Sequence, residues 1–382
     1  MNSQSKRVNS LVSNYFLEKQ PENTHSKEGD VKVDLGAGNP DLPPDRWVKN
    51  VLRSSIEKPN AFQYSGYGAL PSLKKAIASW YQLKYAISID SKREVIALSG
   101  SKSGINYISL AYLNPGDTVL VPNPGYAVYA NAAIIAGAKV KYFDLKPEND
   151  WYPDREQLQE LIDDSCKMIW INYPNMPTGQ RSNAKVFKEM ICFAKQHNLL
   201  LCHDNPYSHV LNDHPESIFN YSGIEDRVLE LNSLSKSHNL AGARIAMLIG
   251  NQELLAPVNK IQSNFESGIF RPIQEAAAFA LELNGAWDSR LHKIYTGRRE
   301  IVYRILKELG CYFHRNSVGM FVWAKVPDAF DDDKEFSGWL QQKLGLTVVP
   351  GSAFGSNGYG YIRLSLTASE GQLKTVERSF KN

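Results

Sequence analysis

The chain has 382 residues, a length for which two domains are expected rather than one compact core. Hydrophobic residues make up 43% and charged residues 22%, which is typical of a globular protein and excludes a disordered or fibrous one. The formal net charge is +3, with basic and acidic residues mixed along the chain. This even mixture gives no indication of nucleic acid or an anionic membrane as a partner.

Targeting segments and metal-binding patterns are not evident either. The first ten residues are polar, which argues against a secretory signal. The longest nearly apolar segment, residues 127–138, is too short to span a bilayer. The four cysteines form no C-x-x-C pair and lie beside no histidine cluster, so neither a metal site nor a disulfide framework is expected. We therefore expect a cytoplasmic protein that binds no metal.

The middle of the chain alternates short apolar runs with amphipathic segments of helical length. The predicted strands are residues 119–121, 140–143, 168–172, 199–202, 228–231 and 245–249. The predicted helices between them are residues 103–113, 155–163, 184–197 and 253–264. This alternation predicts an α/β fold with a mainly parallel sheet covered by helices.

The pattern changes near residue 285. A long predicted helix at residues 287–309 is followed by predicted strands at 320–326, 346–349 and 361–365 and predicted helices at 334–344 and 370–380. These elements predict a second, smaller α+β domain. The predicted division is an N-terminal segment 1–44 that packs with the small domain, a large domain 45–285 and a small C-terminal domain 286–382.

Polar residues after one predicted strand are candidates for catalysis, because ligands of parallel α/β sheets bind beyond the carboxyl ends of the strands. Asp204 and Tyr207 follow the strand at residues 199–202. The carboxylate could pair with a heterocyclic N–H⁺, and the phenol could donate to a phenolate-like oxygen. An Asp that caps the turn at Pro206 is an equally good interpretation.

A second candidate is Lys236, which lies in the sequence Asn-Ser-Leu-Ser-Lys-Ser at residues 232–237, eight residues before Arg244. An aldehyde cofactor needs a lysine amine to form a Schiff base. A phosphate on such a cofactor needs hydroxyls and a guanidinium, which Ser233, Ser235 and Arg244 could supply. By itself, a segment rich in serine and lysine is more often a solvated loop.

Three further segments carry candidate binding residues. Residues 99–104 place small residues at a predicted helix N-terminus, which favours phosphate without matching a nucleotide-binding loop. Tyr126 could stack on an aromatic cofactor or simply be packed. Arg363 lies inside an apolar strand and must meet an anion there, either a ligand or a structural partner.

Together these segments resemble the class I/II aminotransferases of the pyridoxal-phosphate fold-type I superfamily, over about residues 36–373. The resemblance is closest to the branch that contains bacterial LL-diaminopimelate aminotransferase. Residues 100–105, 113–117, 203–204 and 349–355 carry it. It implies a large domain with a mainly parallel seven-stranded sheet covered by helices, and a smaller α+β domain.

The resemblance also implies roles for individual residues. Lys236 would hold pyridoxal 5'-phosphate as a Schiff base and later carry a proton, Asp204 would pair with the pyridine nitrogen, and Tyr207 would bind the ring oxygen. Arg363 would bind the substrate carboxylate, with help from the backbone around Gly38. The implied phosphate-binding residues are Ser101, Lys102, Ser233, Ser235 and Arg244, Tyr126 would stack on the ring, and Tyr64 would reach the phosphate of a neighbouring subunit. The resemblance therefore also implies a homodimer.

One position departs from the family pattern. The family usually has Asn immediately before Pro-Thr-Gly, where it bonds the ring oxygen, and here that position is Met176. Either Asn175, one residue earlier, takes over this bond, or Tyr207 holds the oxygen largely alone. A thioether cannot replace the amide, because it is no donor.

The predicted activity is the transfer of an amino group between an L-amino acid and a 2-oxo acid by ping-pong chemistry. The alternative is a pyridoxal-phosphate-dependent C–S lyase of the same fold, which cleaves at Cβ after the same deprotonation. A substrate pocket that accepts charged and neutral side chains is our hypothesis, with glutamate and 2-oxoglutarate as one couple. Arg271 could bind the distal carboxylate, although most arginines at such positions are solvated.

Overall fold

The computed structural model describes residues 4–12, 15, 33–283 and 285–380. Much of the predicted N-terminal segment, residues 1–3, 13–14 and 16–32, lies outside the described residues. Within the described ranges, the chain alternates helices and strands through the middle, as the hydrophobic pattern predicts.

The strands are numbered in chain order. They are β1 (Val33–Asp34), β2 (Val95–Leu98), β3 (Thr118–Asn123), β4 (Lys139–Asp144), β5 (Cys166–Asn172), β6 (Leu200–Asp204), β7 (Val228–Ser233), β8 (Ala246–Ile249), β9 (Tyr312–Phe313), β10 (Phe321–Lys325), β11 (Leu346–Thr347), β12 (Val349–Pro350) and β13 (Tyr361–Ser365).

The α-helices follow the same order. They are α1 (Lys6–Asn9), α2 (Arg46–Ile56), α3 (Pro71–Tyr85), α4 (Ser101–Tyr112), α5 (Ala127–Ile135), α6 (Arg155–Leu161), α7 (Ala184–Gln196), α8 (Leu234–Ser237), α9 (Gln252–Phe265), α10 (Arg271–Leu281), α11 (Gly285–Glu308), α12 (Asp333–Leu344) and α13 (Glu370–Ser379).

The largest sheet has seven strands in the order β2-β8-β7-β6-β5-β3-β4. The pairs from β7 to β4 are parallel, and β8 runs antiparallel to both of its neighbours. The predicted α/β fold with a mainly parallel seven-stranded sheet is therefore confirmed. Antiparallel β8 places the end of β7, where α8 begins, beside the start of β8.

Both faces of the central strands β5, β6 and β7 are buried, which explains why these strands are mostly apolar, whereas the edge strand β4 is partly exposed. Along β5, Met168 and Trp170 pack into one hydrophobic cluster with α4, α5 and α9, whereas Ile169 and Ile171 pack into the cluster on the other face. This alternation follows from the two-residue period of a strand.

The C-terminal part forms a second, smaller sheet in the order β12-β13-β10-β9, in which all pairs are antiparallel. Its register places Arg363 opposite Trp323. β1 pairs in parallel with β11, so residues Val33–Asp34 lie against the C-terminal part of the chain. The exact domain boundaries stay a prediction.

Two consequences of this fold matter for function. The parallel strands β5, β6 and β7 end side by side, which brings Asn172, Asp204 and Ser233 to one edge of the sheet. In the described part of the chain, no helix combines the length and apolar character that crossing a bilayer requires.

Candidate active site

A cavity of about 510 Å³ opens at the carboxyl ends of the parallel strands. Eleven of the sequence-predicted residues line it: Gly38, Ser101, Lys102, Tyr126, Asp204, Tyr207, Ser233, Ser235, Lys236, Arg244 and Arg363. They come from segments up to 325 positions apart, so the fold and not the local sequence brings them together. Asn175 and Tyr64 do not line this cavity.

Lys236 lies on the single turn α8, which follows β7 directly. The Ser233 hydroxyl begins this turn by accepting a hydrogen bond of 3.1 Å from the backbone N–H of Ser235. The Lys236 ammonium donates to the carbonyl oxygen of Gly38. Burial, followed by the positive charges of Arg363 and Arg244, lowers the pKa of Lys236 to about 8. A lowered pKa increases the fraction of free amine, which is the form that attacks an aldehyde.

Asp204 is the last residue of β6 and is only 4% exposed. Its Oδ2 accepts a hydrogen bond of 2.7 Å from the hydroxyl of Tyr129, whereas its buried Oδ1 has no hydrogen-bond partner among the described residues. Burial raises the pKa of Asp204 to about 6. A buried carboxylate oxygen without a donor indicates a place for a cationic N–H of a ligand.

Tyr129 is a site residue that sequence reasoning missed. It lies on α5, its ring stacks on Trp170 at 4.9 Å between centroids, and its side chain is fully buried. The sequence signal for Tyr129 was weak, because it lies in the nearly apolar segment 127–138 and reads as a core residue.

The part of the cavity lined by Ser101, Ser233 and Arg244 is suited to an anion. Helix α4 begins at Ser101 after Gly100, whose φ of +94° favours glycine. A Cβ at Gly100 would lie 2.1 Å from Nη2 of Arg244, so only glycine lets this guanidinium approach the helix N-terminus. Free N–H groups, a guanidinium and the hydroxyls of Ser233 and Ser235 are the groups that bind a phosphate.

Arg363 lies on β13 and is 3% exposed. Its Nη2 donates to the carbonyl oxygen of Gly36 at 2.7 Å, and its guanidinium lies 4.1 Å from the ring centroid of Phe321 and 4.7 Å from that of Phe354. Burial lowers the pKa of Arg363 to about 10, so the group stays charged at neutral pH. A Cβ at Gly38 would lie 2.6 Å from the Phe321 ring, which explains glycine at this position.

Two tyrosines, Tyr207 and Tyr126, also line the cavity. The Tyr207 ring packs against Phe321, with 5.6 Å between ring centroids. Burial raises the pKa of Tyr207, so it remains a neutral donor at physiological pH. Tyr126 stands perpendicular to Tyr129, with 5.7 Å between ring centroids.

The structure does not bring Asn175 to the cavity. Its Oδ1 accepts from the Thr178 hydroxyl at 2.7 Å and from the Thr178 N–H at 3.2 Å, and its Nδ2 donates to the Asn172 carbonyl at 3.2 Å. The amide is thus hydrogen-bonded within its own loop and does not line the cavity. Met176 lines the cavity instead, with its sulfur 3.3 Å from Nη1 of Arg363.

Tyr64 and Arg271 also lie away from this cavity. Tyr64 is 87% exposed. Arg271 is the first residue of α10 and is partly buried. Their segments are in contact, because the Ser65 hydroxyl donates to the Ile269 carbonyl at 2.8 Å and Phe62 packs on Phe270 at 5.5 Å. Neither residue lines the cavity of its own chain, and the two lie in neighbouring segments.

The cavity fits pyridoxal phosphate on the structure's own features. The buried Oδ1 of Asp204 lacks the N–H that a protonated pyridine nitrogen would supply. The lack of a Cβ on Gly100 lets the Arg244 guanidinium lie beside the α4 N-terminus, where the two could hold a phosphate together. Lys236 lines the same cavity.

Comparisons with known proteins agree with this geometry. The sequence profile of the family "Aminotransferase class I and II" matches residues 30–379. LL-diaminopimelate aminotransferase of Aquifex aeolicus (strain VF5) is 36% identical over 358 residues, which cover 93% of this chain and 92% of that protein.

Solved structures are similar over nearly the whole chain. Ligand-free BacF from Bacillus subtilis matches with a TM-score of 0.93 and 32% identity, covering 100% of this chain and 98% of that one. Aspartate aminotransferase from Thermotoga maritima matches with a TM-score of 0.90 and 28% identity, covering 99% of each chain.

A family profile that spans almost the entire chain settles the family, and with it the fold-type I architecture, the dependence on pyridoxal phosphate and the transfer of amino groups between amino acids and 2-oxo acids. The chain belongs to the class I and II aminotransferases.

Proposed function

We propose that amino transfer takes place in the cavity around Lys236, with Lys236, Asp204 and Tyr207 as the catalytic residues. The observation that carries this proposal is one cavity that combines a buried amine of lowered pKa, a buried carboxylate oxygen without a donor, and a buried guanidinium. When bound, pyridoxal phosphate supplies the electron sink that makes the substrate Cα–H acidic.

Lys236 is the proposed proton carrier. Its pKa of about 8 lies near physiological pH, where a general base and acid works best. The Lys236 Nζ donates to the Gly38 carbonyl. Because Gly38 has no side chain, its backbone can lie close to the Phe321 ring. The amine therefore has a fixed resting position beside the substrate carboxylate site.

Asp204 and Tyr207 have the proposed roles of holding the two polar edges of the ring. Asp204, held by the Tyr129 hydroxyl at 2.7 Å, would keep the pyridine nitrogen protonated through its free Oδ1. Because Asn175 is used within its loop and Met176 cannot donate, Tyr207 would hold the ring oxygen largely alone.

Arg363 is the proposed ligand of the substrate α-carboxylate. The Gly36 carbonyl and the Phe321 and Phe354 rings fix its guanidinium, so little side-chain entropy is lost when it binds. Its burial also removes water that would weaken the charge-assisted hydrogen bonds.

For the amino donor we propose LL-diaminopimelate, because the name of the 36%-identical Aquifex aeolicus relative is LL-diaminopimelate aminotransferase. The test is a single-turnover screen of the holoenzyme with LL-diaminopimelate, glutamate, alanine, phenylalanine and cysteine. Conversion of the bound cofactor to its amine form is followed by absorbance. We expect diaminopimelate to react fastest and to yield a 2-oxo acid without ammonia.

Other outcomes of this screen are equally informative. Faster conversion by a neutral amino acid would refute the proposed donor while leaving the chemistry intact. Release of ammonia and pyruvate from cysteine, with no amine form of the cofactor, would favour the lyase. Loss of conversion in an Arg363→Ala variant is expected for every donor, since each carries an α-carboxylate.

A homodimer is proposed because of the exposed segment around Tyr64. Phe62, Tyr64 and Tyr67 are 80%, 87% and 74% exposed, which is unusual for three aromatic side chains within six residues. A two-fold partner would bury them and bring one tyrosine hydroxyl to the other subunit's phosphate site.

The corresponding prediction concerns Tyr64→Phe. Removing one hydrogen bond to a charged phosphate should cost about 1.5–3 kcal/mol, so we expect cofactor affinity to fall about 10- to 100-fold. Equilibrium titration of apoprotein with pyridoxal phosphate measures this, and sedimentation should still show a dimer. Tyr67→Phe, at a similarly exposed position, is the matched control and should bind the cofactor normally. A fully active monomer would contradict the proposal.

A further prediction concerns Arg271, whose segment contacts that of Tyr64. If Tyr64 reaches the partner's site, α10 begins close to the same place. Arg271→Ala should then raise KM for glutamate about 10- to 100-fold and spare alanine, because a lost carboxylate contact costs about 1.5–3 kcal/mol. The exposed Arg290 gives the control variant Arg290→Ala. Unchanged glutamate kinetics in Arg271→Ala would return Arg271 to a surface role.

A further inference from the structure

A buried pair of ionisable side chains lies directly behind Asp204. His203 on β6 and Glu230 on β7 are register partners in the sheet, and both side chains are 0% exposed. The His203 Nδ1 lies 2.9 Å from Oε2 of Glu230. The mechanism proposed above uses neither residue, although His203 immediately precedes Asp204.

Glu230 is surrounded by donors. The Tyr81 hydroxyl donates to Oε1 at 2.8 Å, the Ser217 hydroxyl lies 3.0 Å from both oxygens, and the Ile218 N–H donates to Oε2 at 2.9 Å. Several donors on one carboxyl group stabilise its ionised form. The site around Glu230 is therefore built to hold a carboxylate, and a buried carboxylate needs a cation nearby.

His203 meets that requirement. Its Nε2 lies 2.8 Å from the carbonyl oxygen of Tyr173, which can only accept a hydrogen bond. Nε2 must therefore carry a proton, and Nδ1 faces a carboxylate. This arrangement offers both ring nitrogens an acceptor, which is the geometry that a doubly protonated ring requires.

Two other histidines, partly buried His209 and buried His238, show the contrast. His209 bonds to the Tyr85 hydroxyl at 3.0 Å and His238 to the Ser237 hydroxyl at 2.8 Å. Burial lowers the pKa of His209 to about 3 and that of His238 to about 4, so both are neutral at pH 7. Only His203, among the histidines of the described ranges, joins a carboxylate and a carbonyl in a fully buried position.

The pair ties together two strand ends that line the active site. Tyr173 begins the loop that carries Met176, and Asn172, one residue earlier, donates from Nδ2 to the carbonyl oxygen of Asp204 at 2.7 Å. His203 adds a second link between these strands through the Tyr173 carbonyl. Its positive charge also opposes the effect of burial on the pKa of Asp204.

We propose that His203 and Glu230 are positioning residues for amino transfer: the His203 imidazolium, held by Glu230, fixes the end of β6 against the loop after Asn172 and keeps the Asp204 carboxylate ionised. This inference rests on the proposed role of Asp204. The other titratable groups that face the pair are the phenols of Tyr81, Tyr85 and Tyr173, whose pKa values burial raises. They stay neutral at physiological pH, so the charges that matter are those of His203, Glu230 and Asp204.

The first test needs no activity. In apoprotein labelled with ¹⁵N-histidine, nitrogen chemical shifts should show two protonated nitrogens for His203 at pH 7 and one each for His209 and His238. In Glu230→Gln, which keeps the size of the side chain, His203 should lose one proton. A neutral His203 in the wild-type protein would overturn the proposal even if every variant failed to fold.

The second test measures how pyridoxal phosphate binding to apoprotein depends on pH. Binding should weaken as Asp204 becomes protonated, so its midpoint lies near the Asp204 pKa of about 6. In Glu230→Gln and in the double variant His203→Gln/Glu230→Gln we expect this midpoint to rise by about one pH unit, a modest shift for the loss of a nearby opposite charge. A purely structural role would lower stability without moving the midpoint.

Asp204→Asn is the reference for this titration. In this variant the pH dependence of cofactor binding has no contribution from Asp204 and keeps that of the cofactor phosphate. An unmoved midpoint in folded Glu230→Gln and double-variant proteins overturns the role of the pair alone. An identical midpoint in wild type and Asp204→Asn would instead show that Asp204 does not pair with the cofactor, and the proposed function would fail with it.

Discussion

Lys236→Ala should lose amino transfer by at least about 10⁴-fold, because one residue both binds the cofactor covalently and carries the proton in the proposed scheme. The visible absorbance band of the bound cofactor should disappear as well. The fold should remain, since the Lys236 side chain faces the cavity and its one hydrogen bond runs to a loop carbonyl. Initial rates, absorbance spectra and circular dichroism on the same preparation measure all three quantities.

Lys74→Ala is the matched control. Lys74 is also partly buried, burial lowers its pKa as well, and its ammonium donates to a backbone carbonyl, that of Lys92, at 3.0 Å. It lies outside the cavity around Lys236, so we expect normal activity and a normal spectrum. Wild-type turnover by a Lys236→Ala preparation free of contaminating enzyme would refute the site as a whole.

The order of strands along the chain and the ends of the central ones could be predicted from the sequence. The run at residues 168–171 is apolar on both faces, and that at 228–231 is apolar except for Glu230, a pattern typical of strands in a covered parallel sheet. The carboxyl-end rule then located Asp204 and the segment of Lys236, because each follows such a run directly.

Other parts of the fold depend on contacts that no local pattern records. Residues 245–249 read like their parallel neighbours, yet β8 runs antiparallel to β7 and β2. β2 itself is only four residues long and was not among the predicted strands. Direction and pairing of short apolar strands are set by the connections and neighbours in three dimensions, so periodicity alone leaves them open.

At the site, residue types were easier to predict than orientations. Asn175 has the chemistry to bind a ring oxygen, but its loop uses both polar atoms of the amide. Tyr129 looked like a core residue, and only the structure shows its hydroxyl on Asp204. The role proposed for Tyr64 requires a second subunit, and in the single chain its side chain is exposed.

Asp204→Asn is expected to keep the fold and, at saturating pyridoxal phosphate, to lower kcat by about 10²-fold or more. The proposed contribution of Asp204 is a charge paired with the pyridine nitrogen in a buried site, and one preorganised charge of this kind stabilises a transition state by about 3 kcal/mol. Tyr129→Phe keeps that charge and removes only the hydrogen bond of 2.7 Å that orients it. Its effect on kcat should therefore be much smaller, and the two variants form a graded pair.

The pH dependence of the free energy of unfolding measures the ionisation of Asp204 independently of activity. Burial raises the pKa of Asp204 in the folded protein to about 6, above its ordinary value of 3.8, so the folded apoprotein binds a proton more tightly than the unfolded chain does. This group therefore makes wild-type apoprotein less stable as pH rises from about 4 to about 6, and above that range its destabilising contribution is constant. Asp204→Asn has no carboxyl group to ionise. In denaturant titrations, the free energy of unfolding of the variant relative to wild type should therefore increase from about pH 4 to about pH 6 and stay at that higher level up to about pH 8. If Asp204 were only a turn cap, the substitution would instead lower stability at every pH and change kcat by less than about tenfold.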